Sequence, residues 1–150
     1  MKGFSIVEVI VVLAIGLILT LIVIVSFSSF RENYEFNNAT DNVVTAIQLA
    51  RSRTLSSYGA NQYGVHLAST SVTVFKGTIF SEFSSDNIKT NLPSLIEISS
   101  IVLNDGGTNI IFQRITGKTD NYGTTTLKAK ANPSKIKTIR IKSTGITDVL

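Results

Sequence analysis

Residues 9–30 carry no charged side chain, and the residue immediately before them is an acid, Glu8. Residues 9–25 are apolar except for Gly16 and Thr20. At the helical rise this inner stretch covers about 26 Å, and the whole uncharged segment about 33 Å. The hydrocarbon core of a bilayer is about 30 Å thick, so the segment is expected to span a membrane. Its Ile, Val and Leu content would also suit a strand. An isolated span in lipid must satisfy its own backbone hydrogen bonds, which selects the helix. Lys2 is the one basic side chain ahead of it. The positive-inside tendency therefore places the amino end in the cytoplasm and the chain after residue 30 outside, although Arg31 follows the span.

This segment also accounts for an unusual composition. The chain has 150 residues, 43% of them hydrophobic and 16% charged, with a mean hydropathy of +0.28. Ordinary soluble domains are about 25% charged. Outside the first thirty residues the chain is polar and rich in Ser, Thr and Asn. No second apolar run approaches membrane length, which excludes a polytopic membrane protein. There is no Cys and one His. A disulfide framework, a thiol nucleophile and a cysteine–zinc cluster are excluded, and histidine-based metal or triad chemistry is disfavoured.

A secretory signal peptide is one alternative for the amino end. It fits poorly, because the basic region is nearly absent and the apolar core is long. Ser26, Ser28 and Ser29 supply the small residues that a cleavage site would need. A plain anchor is another alternative, but it leaves Glu8 unexplained. A carboxylate at the mouth of a span is costly unless it sits at the interface or is paired, and intramembrane acids mark function by default.

Gly3-Phe4-Ser5-Ile6-Val7-Glu8, followed by the apolar run, resembles the amino-terminal signal of type IV prepilins and type II secretion pseudopilins. The resemblance implies cleavage between Gly3 and Phe4 by a prepilin peptidase, and N-methylation of Phe4 by the same enzyme. It implies that Glu8 neutralises the amino terminus of a neighbouring subunit during assembly. Its implied partners are the peptidase, other pilins or pseudopilins in a helical filament, an inner-membrane assembly platform, and membrane lipid before assembly. Elementary chemistry agrees with these roles. Gly3 alone lets a protease approach the backbone closely. The new α-amine, with a reference pKa of about 7.7–8.0, is mostly charged. Buried among apolar helices, ammonium and carboxylate are each costly alone and tolerable as a pair, so the pair sets subunit register. Many pilins carry a proline where this chain has Val25, which leaves a melted segment there in doubt.

After Phe30 the pattern changes. Residues 31–58 contain neither Pro nor Gly, and Phe36, Ala39, Val43, Ile47, Ala50, Thr54 and Tyr58 recur at steps of three and four. This is one face of an amphipathic helix. Gly59 is a natural stop, and Arg51 and Arg53 complement the helix dipole. Both arginines are read as solvated. Gly16 and Asn37-Asn38 are the weak points of the helix.

From Tyr63 onward the chain reads as strands and turns. Segments 63–67 and 71–75 alternate and form a pair closed by Lys76-Gly77. Further strands are expected at 95–98, 101–103, 109–115, 124–131, 135–142 and 146–150. Asn104-Asp105-Gly106-Gly107 is a turn. The polar stretch 78–94 is read as a loop. The fold class is α+β: a long amino-terminal helix carrying an antiparallel, β-rich, sandwich-like head. The expected division is a leader at 1–3, a transmembrane and filament-core helix at 4–30, an amphipathic helix at 31–59, and the head at 60–150.

The order of Ala50-Arg51-Ser52, Val74-Phe75-Lys76-Gly77, Leu92-Pro93, Ile111-Phe112, Thr116-Gly117 and Ile139-Arg140-Ile141 before Gly145 is similar to the H-type minor pseudopilins and minor pilins. It implies a tip or minor subunit rather than the bulk of a fibre.

The head offers little chemistry. His66 occupies an outward position and is read as solvated. Asp105 and Asp120 sit in Gly- and Asn-rich loops, where turn chemistry explains them better than calcium. No base is placed to activate a Ser or Thr. The Asn38-Ala39-Thr40 sequon carries no weight alone. No catalytic residue, metal ligand or cofactor is expected, and the chain is expected to be an enzyme's substrate rather than an enzyme.

Charge is uneven. Residues 113–150 hold eight basic groups against Asp120 and Asp148, a net +6, whereas residues 31–112 hold five basic and seven acidic groups. Lys128, Lys130, Lys135, Lys137, Arg140 and Lys142 form the basic carboxy-terminal hairpin. Nucleic acid or another polyanion is one reading of it. Protection of exposed strands from edge pairing is the favoured one, and no aromatic interleaves the lysines to stack on bases. The expected function is thus a structural subunit of a type IV pilus or pilus-like filament. A type II secretion tip pseudopilin, a DNA-binding pilin of an uptake machine and a membrane-anchored binding module are the alternatives.

Overall fold

The computed structural model describes residues 5–150, without the side chains of 22–26, 28 and 29. Gly3 and Phe4, the expected cleavage and methylation positions, both precede residue 5 and lie outside the described residues. The chain divides into two compact units, Met1–Tyr34 and Glu35–Leu150. One helix, α1 (Ile6–Leu55), supplies the described part of the first unit and the beginning of the second. Gly16, Asn37 and Asn38 all lie within α1. A 3₁₀ turn follows at Tyr58–Ala60. Eight strands complete the chain: β1 (Tyr63–Ala68), β2 (Ser71–Lys76), β3 (Ile88–Asn91), β4 (Ile96–Leu103), β5 (Asn109–Ile111), β6 (Gly123–Ala129), β7 (Ile136–Ile141) and β8 (Thr147–Val149).

The second unit is built on the face of α1 that the heptad-like spacing marks. Phe36, Ala39, Val43, Ile47, Ala50 and Thr54 are all buried. Thr40 and Thr54 tolerate burial because each hydroxyl donates to the carbonyl four residues earlier, Phe36 at 2.9 Å and Ala50 at 2.8 Å. Thr54 Oγ1 also accepts from the Tyr63 amide at 2.9 Å, tying the helix end to the first strand. Tyr58 departs from the expected face. The helix has ended by then, Ser57 takes a left-handed conformation, and the ring is exposed.

The strands form two antiparallel four-stranded sheets, ordered β3-β2-β1-β5 and β4-β6-β7-β8. Their inward side chains join those of α1 in one core. Val65, Leu67, Val72, Val74 and Ile110 come from the first sheet, and Ile96, Leu127, Ala129, Ile139 and Ile141 from the second. The architecture is therefore α+β with two antiparallel sheets.

Three strand expectations need correction. Segments 95–98 and 101–103 are one strand, β4, whose register shifts between Ile98 and Ser100. The irregularity breaks the alternation that a sequence reading relies on. The expected 109–115 strand stops at Ile111, because the chain turns with Ile115 at a φ of 71°. The 78–94 stretch is not wholly a loop. It contains β3, an edge strand with little burial and hence no hydrophobic pattern.

Candidate functional site

Twelve large apolar side chains between Ile6 and Leu21 are exposed, among them Ile6 at 79%, Leu17 at 68% and Leu21 at 63%. They occupy successive positions of α1, so no turn of the helix presents a polar face. Such a helix belongs inside something else. Burying each side chain is worth about 1.5–3 kcal/mol. Twelve together exceed the whole net stability of a typical domain, about 5–15 kcal/mol. Covering this surface is thus the dominant energetic demand of the first unit.

Glu8 lies in the first turn of α1, exposed within this apolar surface. With Val9, Val12 and Leu13 it lines a shallow hollow of about 240 Å³. An acid at a helix amino terminus is favoured by the positive end of the helix dipole. Thr20, the other polar residue of the run, donates to the Gly16 carbonyl at 2.8 Å and so needs no outside partner.

No helix among the described residues is long and apolar enough to cross a membrane. The uninterrupted stretch with described side chains, 5–21, is seventeen residues long. A span takes about twenty. Of the remaining residues of the expected span, 22–26, 28 and 29 fall outside the described side chains.

Strand parity separates the basic residues of the carboxy-terminal hairpin. Lys128 and Arg140 share the outward face of the second sheet, and Lys128 pairs with Glu97 at 3.2 Å. Lys142 pairs with Asp148 at 2.7 Å, and Lys130 donates to the Ser94 carbonyl at 2.9 Å. Lys135 and Lys137 lie instead over the Phe36 ring of α1, at 5.3 and 5.8 Å from its centroid. Lys137 also donates to Asn37 Oδ1 at 2.8 Å. The six cations are thus distributed over two places and engaged with protein groups at several of them.

Other expected surface residues have specific partners. Arg51 Nε donates to the Gly117 carbonyl at 3.1 Å, and the Arg53 guanidinium lies 5.4 and 5.6 Å from the Tyr58 and Tyr63 rings. Their reading as solvated is therefore corrected. His66 is half-buried rather than solvated: Nδ1 is 2.7 Å from Asn109 Oδ1, and the ring stacks on Phe80 at 3.9 Å. No local signal in the sequence announces these distant pairings. Asp105 accepts from the Gly107 amide and from Asn121 Nδ2, and Asp120 accepts from Gln113 Nε2. Among the described residues no three His, Cys, Asp or Glu side chains gather where they could hold a metal ion.

The type IV minor pilin FimU of Pseudomonas aeruginosa has a similar structure in two crystal forms. In one, the TM-score is 0.60 at 13% identity, over 81% of this chain and 92% of that one. In the other, it is 0.57 at 11% identity, over 76% and 91%. No family model and no curated protein matches the chain by sequence. At these identities the comparison shows a shared fold: this chain has the fold of a type IV minor pilin.

Proposed function

We propose that this protein is a structural subunit of a type IV pilus or a pilus-like filament. The observation that carries the reading is the apolar surface of α1 at residues 6–21, exposed on every side and containing one acid, Glu8. The fold it shares with the minor pilin FimU supports the same reading. In this account the uncharged segment 9–30 first sits in the cytoplasmic membrane, with the amino end inside and the second unit outside. A prepilin peptidase cuts after Gly3 and methylates Phe4. The subunit then leaves the membrane through the assembly platform, and its apolar helix is covered by the helices of neighbouring subunits.

Glu8 would pair with the Phe4 amine of a neighbour. A subunit inserted at the wrong height would leave two charges unmatched among apolar side chains, which costs far more than an ordinary surface contact. The protein works here as a structural element and not as a catalyst. A minor position is favoured because the FimU structures are described as those of a minor pilin. A secretion pseudopilin would place the same helix in the same kind of core.

Replacing Glu8 tests the reading. Glu8→Leu should still enter the membrane but should vanish from sheared surface fibres, while Glu8→Asp should keep a substantial fraction there. Equal recovery of Glu8→Leu and the parent in fibres would remove the charge pair from the account.

A further inference from the structure

The first sheet has a second face, turned away from the core, and it is not bare. In register across β5, β1, β2 and β3 stand Asn109, His66, Thr73 and Lys89. Residues opposite one another on neighbouring strands share a face, so these four form a polar row across the sheet. The segment 77–87 folds back over it. Phe80 stacks on His66 at 3.9 Å with the rings 5° from parallel, and meets Phe75 edge-on at 5.5 Å. The segment is held by an ion pair between Lys76 and Asp86 at 3.6 Å. Asn87 Nδ2 also donates to the Ser81 and Glu82 carbonyls at 2.7 and 3.3 Å.

Between sheet and segment lies a cleft of about 360 Å³, bordered by His66, Thr73, Phe80, Glu82, Phe83 and Lys89. That size falls in the range of small-ligand sites, about 300–1,000 Å³. Phe83 is 96% exposed at its rim. Asn87, also in the wall, directs its amide hydrogens at the two carbonyls, and its Oδ1 is buried with no partner among the described residues. A buried acceptor without a partner calls for a donor. Neither Glu82 nor Lys89 makes a side-chain ion pair among the described residues, and both are exposed, so both signs of charge border the cleft.

We propose that the cleft between the outward row His66–Thr73–Lys89 and the 77–87 segment binds a neutral saccharide of one or two rings. An anion would meet Glu82 and a cation would meet Lys89, so a ligand of either sign faces a like charge. A sugar ring carries no net charge, and each hydroxyl both donates and accepts. It can therefore satisfy the carboxylate of Glu82, the ammonium of Lys89 and the hydroxyl of Thr73 together. Its apolar face would lie against the exposed ring of Phe83, removing that aromatic surface from water. His66 Nδ1 is committed to Asn109 Oδ1, which leaves Nε2 as the ring atom available to a ligand. This assignment stands independently of the filament reading.

The test uses the full chain in micelles of lauryldimethylamine oxide, a detergent without a sugar headgroup. Saturation-transfer NMR is recorded with glucose, galactose and N-acetylglucosamine, and an amide spectrum of each variant verifies folding. At least one sugar should receive saturation. Its affinity should fall about tenfold with Phe83→Ala, the order expected for one aromatic contact, and should fall with Lys89→Ala. Tyr122→Ala, an exposed aromatic elsewhere, should leave it unchanged. Absence of transfer from all three sugars to the folded protein would overturn the proposal. So would binding that survives Phe83→Ala and Lys89→Ala together, or glucuronate or glucosamine binding more than tenfold tighter than glucose. Each of these results is read on the detergent-solubilised protein and is indifferent to whether it enters a filament.

Discussion

Arg51 Nε donates a hydrogen bond to the Gly117 carbonyl oxygen across 3.1 Å, joining the last turns of α1 to the turn that follows β5. Gly145 closes the same junction. A Cβ there would come within 2.1 Å of the Gly117 oxygen and 2.9 Å of Arg51 Nε, and its φ is +79°. Gly145→Ala should therefore lower stability by about 1–3 kcal/mol, the range for a residue forced into a disfavoured conformation. The lost space should push it to the upper end. The midpoint of urea unfolding measures this, and an unchanged midpoint would show that the junction yields freely.

The α1 face makes a sharper contrast. Ile47 is fully buried and Gln48, its neighbour, is exposed. Ile47→Ala should cost about 2–5 kcal/mol. Gln48→Ala should stay within about 0.5 kcal/mol. Both are read from the same unfolding experiment, and similar losses at the two positions would contradict the packing of this face.

Gly64 allows a close approach within the first sheet. A Cβ there would lie 2.5 Å from the Phe75 ring and 2.9 Å from the Ile110 carbonyl oxygen. Overpacking of this kind costs about 1–3 kcal/mol. Gly64→Ala should also displace Phe75, and with it Phe80, so the chemical shifts of His66 should move even where the protein remains folded.

Asp148 gives a pH dependence of known sign. Its hydrogen bond to Lys142, at 2.7 Å, holds its carboxyl below the usual carboxylate range, with the charges of Lys142 and Arg140 adding to the effect against partial desolvation. A group whose pKa is depressed by folding stabilises the fold above its unfolded pKa, about 3.9 for Asp. That contribution disappears as pH falls through the lower folded value. The Tm gap between the parent and Asp148→Asn should be open at pH 7 and close as the pH falls below the usual carboxylate range. A gap that widens in acid would reverse the sign.

Much of the second unit was legible because its signals are local. Phe36, Ala39, Val43, Ile47, Ala50 and Thr54 mark one helix face by spacing alone, and the β1–β2 pair shows plain alternation. What stayed hidden depends on distant segments. Alternation in β2 foretells one buried face, yet Ser71, Val72, Thr73, Val74 and Phe75 are all buried. The reason is that the 77–87 segment covers the other face through Phe80. That same covering turned His66 from a solvated residue into part of a cleft. Strand β3 carries no sequence signature because an exposed edge strand needs no hydrophobic period. In the first unit the position of Glu8 in an apolar helix was legible from composition, while Gly3 and Phe4 precede the described residues.

The filament account is tested most directly by the amino terminus of the mature protein. The protein would be recovered from sheared surface fibres and from the membranes of its host, then examined by intact mass and amino-terminal sequencing. The account expects a chain beginning at N-methylated Phe4, present in the fibres. A chain still beginning at Met1 in the fibre and membrane fractions alike, or one cut after Ser26, Ser28 or Ser29, would contradict it.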